Sequence, residues 1–188
     1  GVLLGHLVKL RDLSSLSDED MVNEQRTHLL DASSPNPSVE TLLHAFLPHK
    51  FIDHSHADAS LIIANQPDAE KICQEIFGDT IGIVPYIMPG FLLAKAAAEV
   101  YEKDPNVQGL MLINHGLFTF GTTAKESYDR HIHAVTQAEE YIGRNPPKAL
   151  TPLEGPAMNA GEEILLNAIA PVLRGLYGQK SGKSWIVH

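Results

Sequence analysis

His54-Ser55-His56 places two imidazoles two residues apart, and what they can do depends on the backbone that carries them. A strand puts residues i and i+2 on one face, whereas a helix turns them about 200° apart. Phe51 to His56 reads as a strand, so His54 and His56 can converge on one ion. His131 and His133, the second His-x-His of the chain, fall in a helical stretch and point in different directions. With ten histidines in 188 residues, chance alone supplies roughly half of one such motif. Spacing therefore leaves two readings open, a structural or merely exposed pair and a pair of ligands. His115 lies in the break Asn114-His115-Gly116 that ends an apolar strand. It is either a turn residue that tolerates an unusual backbone angle or a third ligand presented from a rigid strand end. Three neutral imidazoles leave an open position on zinc, the arrangement of a catalytic site.

Glu40 falls in the first turn of a short helix, where the helix dipole favours a carboxylate whether or not it does chemistry, and His44 follows one turn later. Tyr86 ends the run TIGIVPY; its hydroxyl could donate a proton, or its ring could simply pack as strand aromatics do. Cys73 is the sole cysteine, so a disulfide framework and a cysteine-based metal cluster are both excluded. Any metal must use His or carboxylate. Gly178 to Ser184 (GQKSGKS) is similar to a P-loop, but only three residues separate its glycines where four are needed, and it follows a helix instead of a strand. Neither a G-x-S-x-G elbow nor a G-x-G-x-x-G fingerprint occurs.

The formal net charge of -9 gives no basic field to condense on nucleic acid or anionic lipid. No apolar stretch reaches the roughly 20 residues that span a bilayer, and no basic segment precedes a long apolar run at the start, so a cytoplasmic protein is expected.

The elements that must position these residues alternate between helix and strand, which predicts an α/β or α+β layered domain over residues 1–188. Helices are expected over 16–30, opened by Ser17; over Val39 to Leu47, capped by Ser38 and stopped by Pro48; through Leu61 to Ile63; from Asp68 to Gly78; over Phe91 to Tyr101; and from a Thr123-Ala124-Lys125-Glu126 capping box to Tyr141. Strands are expected over Phe51 to His56, Thr80 to Tyr86, Val107 to Ile113 and Leu117 to Phe120. Residues 143–161, with four prolines, read as a surface connection, and 162–188 as a last helix, kinked at Pro171, and a tail.

Taken in order, Pro37-Ser38-Val39-Glu40-Thr41-Leu42-Leu43-His44, His54-Ser55-His56 and Asn114-His115-Gly116 resemble the class II aldolase and adducin-head family. Within it, HADASLIIANQPD, VPYIMPGF, NHGLFTFG and ESYDRHIHAVTQAEEYI look closest to the aldolase half of proteins that join this domain to a short-chain dehydrogenase, the type acting on rhamnulose 1-phosphate. The resemblance covers about residues 10 to 145. It implies a central, largely antiparallel sheet with helices on both faces, assembled as a homo-oligomer with sites between subunits. It also implies Zn2+ or another divalent metal on His54, His56 and His115, Glu40 as the catalytic carboxylate, Ser38 at a phosphate-contacting position, and Tyr86 as a proton donor across a subunit interface.

The expected activity is that of an aldehyde-lyase, cleaving a ketose 1-phosphate to dihydroxyacetone phosphate and an aldehyde. Breaking that carbon–carbon bond leaves an enediolate, whose charge a divalent ion can stabilise as a Lewis acid. Two alternatives accompany it: a sugar-phosphate epimerase on the same site, whose members carry Asp where Glu40 stands, and a non-catalytic assembly module like the adducin head. Family members carry a Gly-Asn-x-Ser phosphate-gripping segment upstream of the region where this sequence begins, and Val39 stands where a serine is frequent. The chain is therefore expected to be a piece of a longer polypeptide, with that segment before Gly1 and a fused dehydrogenase after His188.

Overall fold

A computed structural model describes residues 1–146, 168–172 and 176. The contacts divide the chain into two units, Gly1–Pro146 and Pro147–His188, and the fold described here is that of the first. Residues 168–172 and 176 are helical. The rest of the last helix, its tail and the P-loop-like run lie outside the described residues, as does most of the connection expected over 143–161.

Short α1 (Leu4–Leu7) runs into a 3-10 turn (Val8–Asp12) and is followed by α2 (Asp18–Thr27) and α3 (Thr41–Phe46). Then come β1 (Phe51–Ser55), α4 (Asp58–Ala64), α5 (Ala69–Phe77), β2 (Ile81–Val84), α6 (Phe91–Lys103), β3 (Gly109–Leu112), β4 (Gly116–Gly121) and α7 (Ala124–Arg144). The four strands form one sheet in the order β1-β4-β3-β2. Strands β1 and β3 both pair antiparallel with β4, while β2 pairs parallel with β3. The sheet is thus largely antiparallel, as the resemblance implies.

Alternation along the strands splits the core into two layers, because successive side chains leave opposite faces. Leu110, Leu112, Phe118 and Phe120 pack with residues of α3 and α6 on one face. Met111, Ile113 and Leu117 pack with residues of α4, α5 and α7 on the other. Strands β3 and β4 are buried throughout, which is why they read as continuous apolar runs.

Three element ends and one capping contact differ instructively from the sequence expectation. Helix α2 is opened by Ser17, whose hydroxyl accepts from the Asp20 amide, but it stops at Thr27. Helix α3 begins at Thr41 with Glu40 at its N-cap and no side-chain cap; Ser38 instead closes a turn, accepting from the Glu40 amide at 3.2 Å. Strand β2 ends at Val84, since Pro85 has no amide to pair, so Tyr86 lies beyond the strand. Thr123 caps α7 as expected, yet the Glu126 carboxylate accepts from the amide and hydroxyl of Thr122 instead of the Thr123 amide. No helix among the described residues is long and apolar enough to cross a membrane.

Candidate metal centre

Three elements meet at one end of the sheet. Strand β1 carries His54 and ends at Ser55, so His56 follows the last paired residue. The β3–β4 turn carries His115, and the N-cap of α3 carries Glu40. That turn closes through His115 N–H to the Leu112 carbonyl at 3.1 Å, with Asn114 at φ 57°, a conformation that Asn tolerates better than most residues.

The side chains converge on the Glu40 Oε1 oxygen. Nε2 of His115, His54 and His56 lie 2.9, 3.3 and 3.6 Å from it, and the Nε2 atoms of His54 and His56 are 3.0 Å apart. Glu40 is oriented from its other side, where Ser38 donates its hydroxyl to Oε2 at 3.3 Å. His115 and His54 are largely buried, whereas the His56 side chain is 52% exposed, so the cluster opens to solvent on that side.

Gly116 makes the convergence possible. A Cβ there would stand 2.7 Å from His56 Cδ2, 2.7 Å from the Ser55 carbonyl oxygen and 3.1 Å from His54 Cε1. These distances are below any comfortable contact, so both rings occupy space that only glycine leaves.

The donor chemistry fits a divalent cation. His54 Nδ1 lies 3.0 Å from the Leu117 carbonyl, which can only accept, so Nδ1 carries the proton. Burial pushes the His54 imidazole down to about 4 against the helping pull of that carbonyl and Glu40, so at neutral pH its Nε2 is a bare lone pair. That lone pair faces a carboxylate oxygen at 3.3 Å, acceptor against acceptor, and a cation among the donors removes the repulsion. Tetrahedral zinc with bonds of about 2.0 Å sets its donors about 3.3 Å apart, and the 3.0 Å between the Nε2 atoms of His54 and His56 is close to that value. Burial pushes the Glu40 carboxyl upward, but the hydrogen bond from His115 in the metal-free site outweighs it, and the group sits below its ordinary value, as a carboxylate.

A second cluster, His6, Glu24 and His28, also gathers three donors. There the two imidazoles stack at 3.5 Å between centroids with planes 7° apart. In-plane lone pairs of parallel rings cannot both aim at one ion, so this group ties α1 to the end of α2 through the 2.5 Å His6–Glu24 contact.

Of the residues singled out in the sequence, the structure brings together His54, His56, His115, Glu40 and Ser38. It leaves Tyr86 out of the cluster: that residue is exposed, with its hydroxyl 4.0 Å from the Met88 sulfur. Unforeseen were Gly116 as the space-maker and His131, whose Nε2 lies 2.6 Å from the Ser55 hydroxyl. The Asn-His-Gly run carried the first signal; nothing in the spacing of His131 linked it to Ser55, 76 residues away.

The buried histidines also set an acid limit. Burial lowers His54, His49 and His131 below the ordinary value of 6.5, so below that pH the unfolded chain binds more protons than the folded one. The stability these groups contribute is present above 6.5 and is lost as pH falls toward the His54 value of about 4. The urea midpoint of the metal-free protein should fall between pH 7 and pH 5; an equal or higher midpoint at pH 5 contradicts this.

A mixed sheet between helices with a His3Glu cluster at the strand ends is the arrangement that the resemblance to class II aldolases implies. Residues 9–142 match the family described as Class II Aldolase and Adducin N-terminal domain, and the chain belongs to that family. It is 37% identical over 142 residues to a Bacillus subtilis (strain 168) protein named "Uncharacterized oxidoreductase YuxG", a match covering 76% of this chain and 21% of that protein. The chain thus spans about a fifth of that relative's length. Among solved structures it is similar to the N-terminal class II aldolase domain of a conserved protein from Thermoplasma acidophilum. That likeness has 43% identity and a TM-score of 0.70 and covers 76% of this chain and 65% of that one.

Proposed function

We propose that this domain is a zinc-dependent aldehyde-lyase that cleaves a ketose 1-phosphate of the rhamnulose 1-phosphate kind to dihydroxyacetone phosphate and an aldehyde. The observation that carries the reading is the convergence of three imidazole nitrogens on one carboxylate oxygen in a cluster open at His56. His54, His56 and His115 would hold the ion, which when bound supplies Lewis-acid stabilisation of charge developing on the substrate's carbonyl oxygen. Glu40, kept ionised and steered by Ser38, is the proton carrier at carbon: in condensation it takes the proton from the carbon beside the carbonyl, and in cleavage it returns one there. Its identity as Glu instead of Asp favours the aldolase over the epimerase, and the complete His3Glu set favours catalysis over an inert assembly module.

Ser38 is exposed beside Glu40, which supports its assignment as a substrate contact. Tyr86 is half exposed and outside the cluster, which suits a residue that serves the site of a neighbouring copy in a homo-oligomer, moving the proton at the aldehyde-side oxygen. The oxidoreductase name borne by the longer relative is consistent with fusion of this domain to a dehydrogenase. Assaying aldehyde release from a panel of ketose 1-phosphates tests the reading. Metal-loaded protein should turn over at least one of them and chelated protein none; no release from loaded protein across the panel contradicts it.

A further inference from the structure

We infer that His131 is a positioning residue for this centre, acting through Ser55 to fix the end of β1 from which His54 and His56 project. The inference rests on the metal-centre reading above. Alternation along β1 sends the Ser55 side chain to the face opposite His54, the face on which α7 packs. There the Ser55 hydroxyl lies 2.6 Å from His131 Nε2, and His131 Nδ1 lies 2.9 Å from the Thr119 hydroxyl.

The proton positions follow from what each partner can do. Thr119 donates its single proton to the Ser127 carbonyl at 3.1 Å, so it must accept from His131 Nδ1–H. His131 Nε2 is then a lone pair that receives the Ser55 hydroxyl proton. Both ring nitrogens are engaged and the residue is buried, so His131 is held in one orientation and is not itself a ligand. Ser127 closes the loop by donating its hydroxyl to the Thr119 carbonyl at 3.2 Å.

The place of this relay in the sheet gives it consequence. Among the described residues strand β1 is an edge strand, paired only with β4, and Ser55 opposite Leu117 is its last ladder position. His56 lies one residue past that pairing and is the most exposed of the three imidazole donors. The anchored Ser55 side chain is therefore what restrains the backbone from which His56 departs. His133, two residues along α7, is exposed and takes no part.

Cobalt(II) titration of the purified chain tests this, read by the dissociation constant and the visible ligand-field spectrum, with melting temperatures measured alongside. Wild type should bind one equivalent, and Ser55→Ala and His131→Leu should each weaken binding about tenfold or more and alter the spectrum. The double variant should be no weaker than the weaker single, because both cut the same link. His131→Gln, whose amide oxygen can still accept from Ser55, should recover part of the affinity, and His133→Leu should match wild type. Singles that keep wild-type affinity and spectrum while only melting earlier overturn the inference, as do additive losses in the double. Should His131→Leu fail to fold, Ser55→Ala against His131→Gln decides by the same readings. Absence of cobalt binding by folded wild type overturns the metal centre itself, a result distinct from either of these.

Discussion

Replacing Glu40 with Gln is expected to leave the ion bound and to lower aldol cleavage by about 10² to 10⁴ fold, the usual worth of a positioned general acid or base. Gln keeps the size of the side chain and can still accept the Ser38 hydroxyl that now meets Oε2. Three imidazoles suffice for a catalytic zinc site, so the metal should remain. What is lost is the carboxylate, which the site holds below its ordinary value against the upward push of burial. Measuring zinc content and turnover on the same sample separates the two roles. Full turnover with metal bound contradicts the proton-carrier assignment; loss of metal along with turnover makes Glu40 a ligand that the site cannot spare.

Gly116→Ala should damage the same site by geometry alone. The added methyl would lie 2.7 Å from both His56 Cδ2 and the Ser55 carbonyl oxygen, and the carbonyl belongs to a strand paired along its length with β4. Backbone cannot yield as a flexible side chain does, so the rings of His54 and His56 must swing or the turn must open. Overpacking of this kind costs about 1–3 kcal/mol. Metal affinity should fall by more than tenfold, as it does when ligands lose their orientation. Wild-type metal affinity in Gly116→Ala would show that the contact is relieved without cost to the ligands.

The parts of this fold that were legible in the sequence are those whose cause is local. Strands β3 and β4 announce themselves as apolar runs because both faces are buried, and α7 by Thr123 at its N-cap. His54 and His56 were readable as a convergent pair because strand periodicity decides which face each side chain takes. The misplaced ends have equally physical reasons. Ser38 has the chemistry of a helix cap, but the turn it closes delays α3 until Thr41 and puts Glu40 at the N-cap position. Tyr86 looked like a strand end until Pro85 is counted as a missing donor.

Contacts across the fold were not legible. The periodicity that separates His131 from His133 is correct, since one is buried and the other exposed, yet it says nothing of Ser55 waiting on another element. Gly116 likewise has a reason only when the neighbouring strand and its two rings are in place.

Zinc content after purification in metal-replete buffer bears most directly on the central claim, that His54, His56 and His115 with Glu40 form a metal centre. One ion per chain is expected in the wild type, and its loss in His54→Ala and His115→Ala variants that remain folded. Below about a tenth of an ion per folded wild-type chain, the donor set would not be the metal site that its geometry describes.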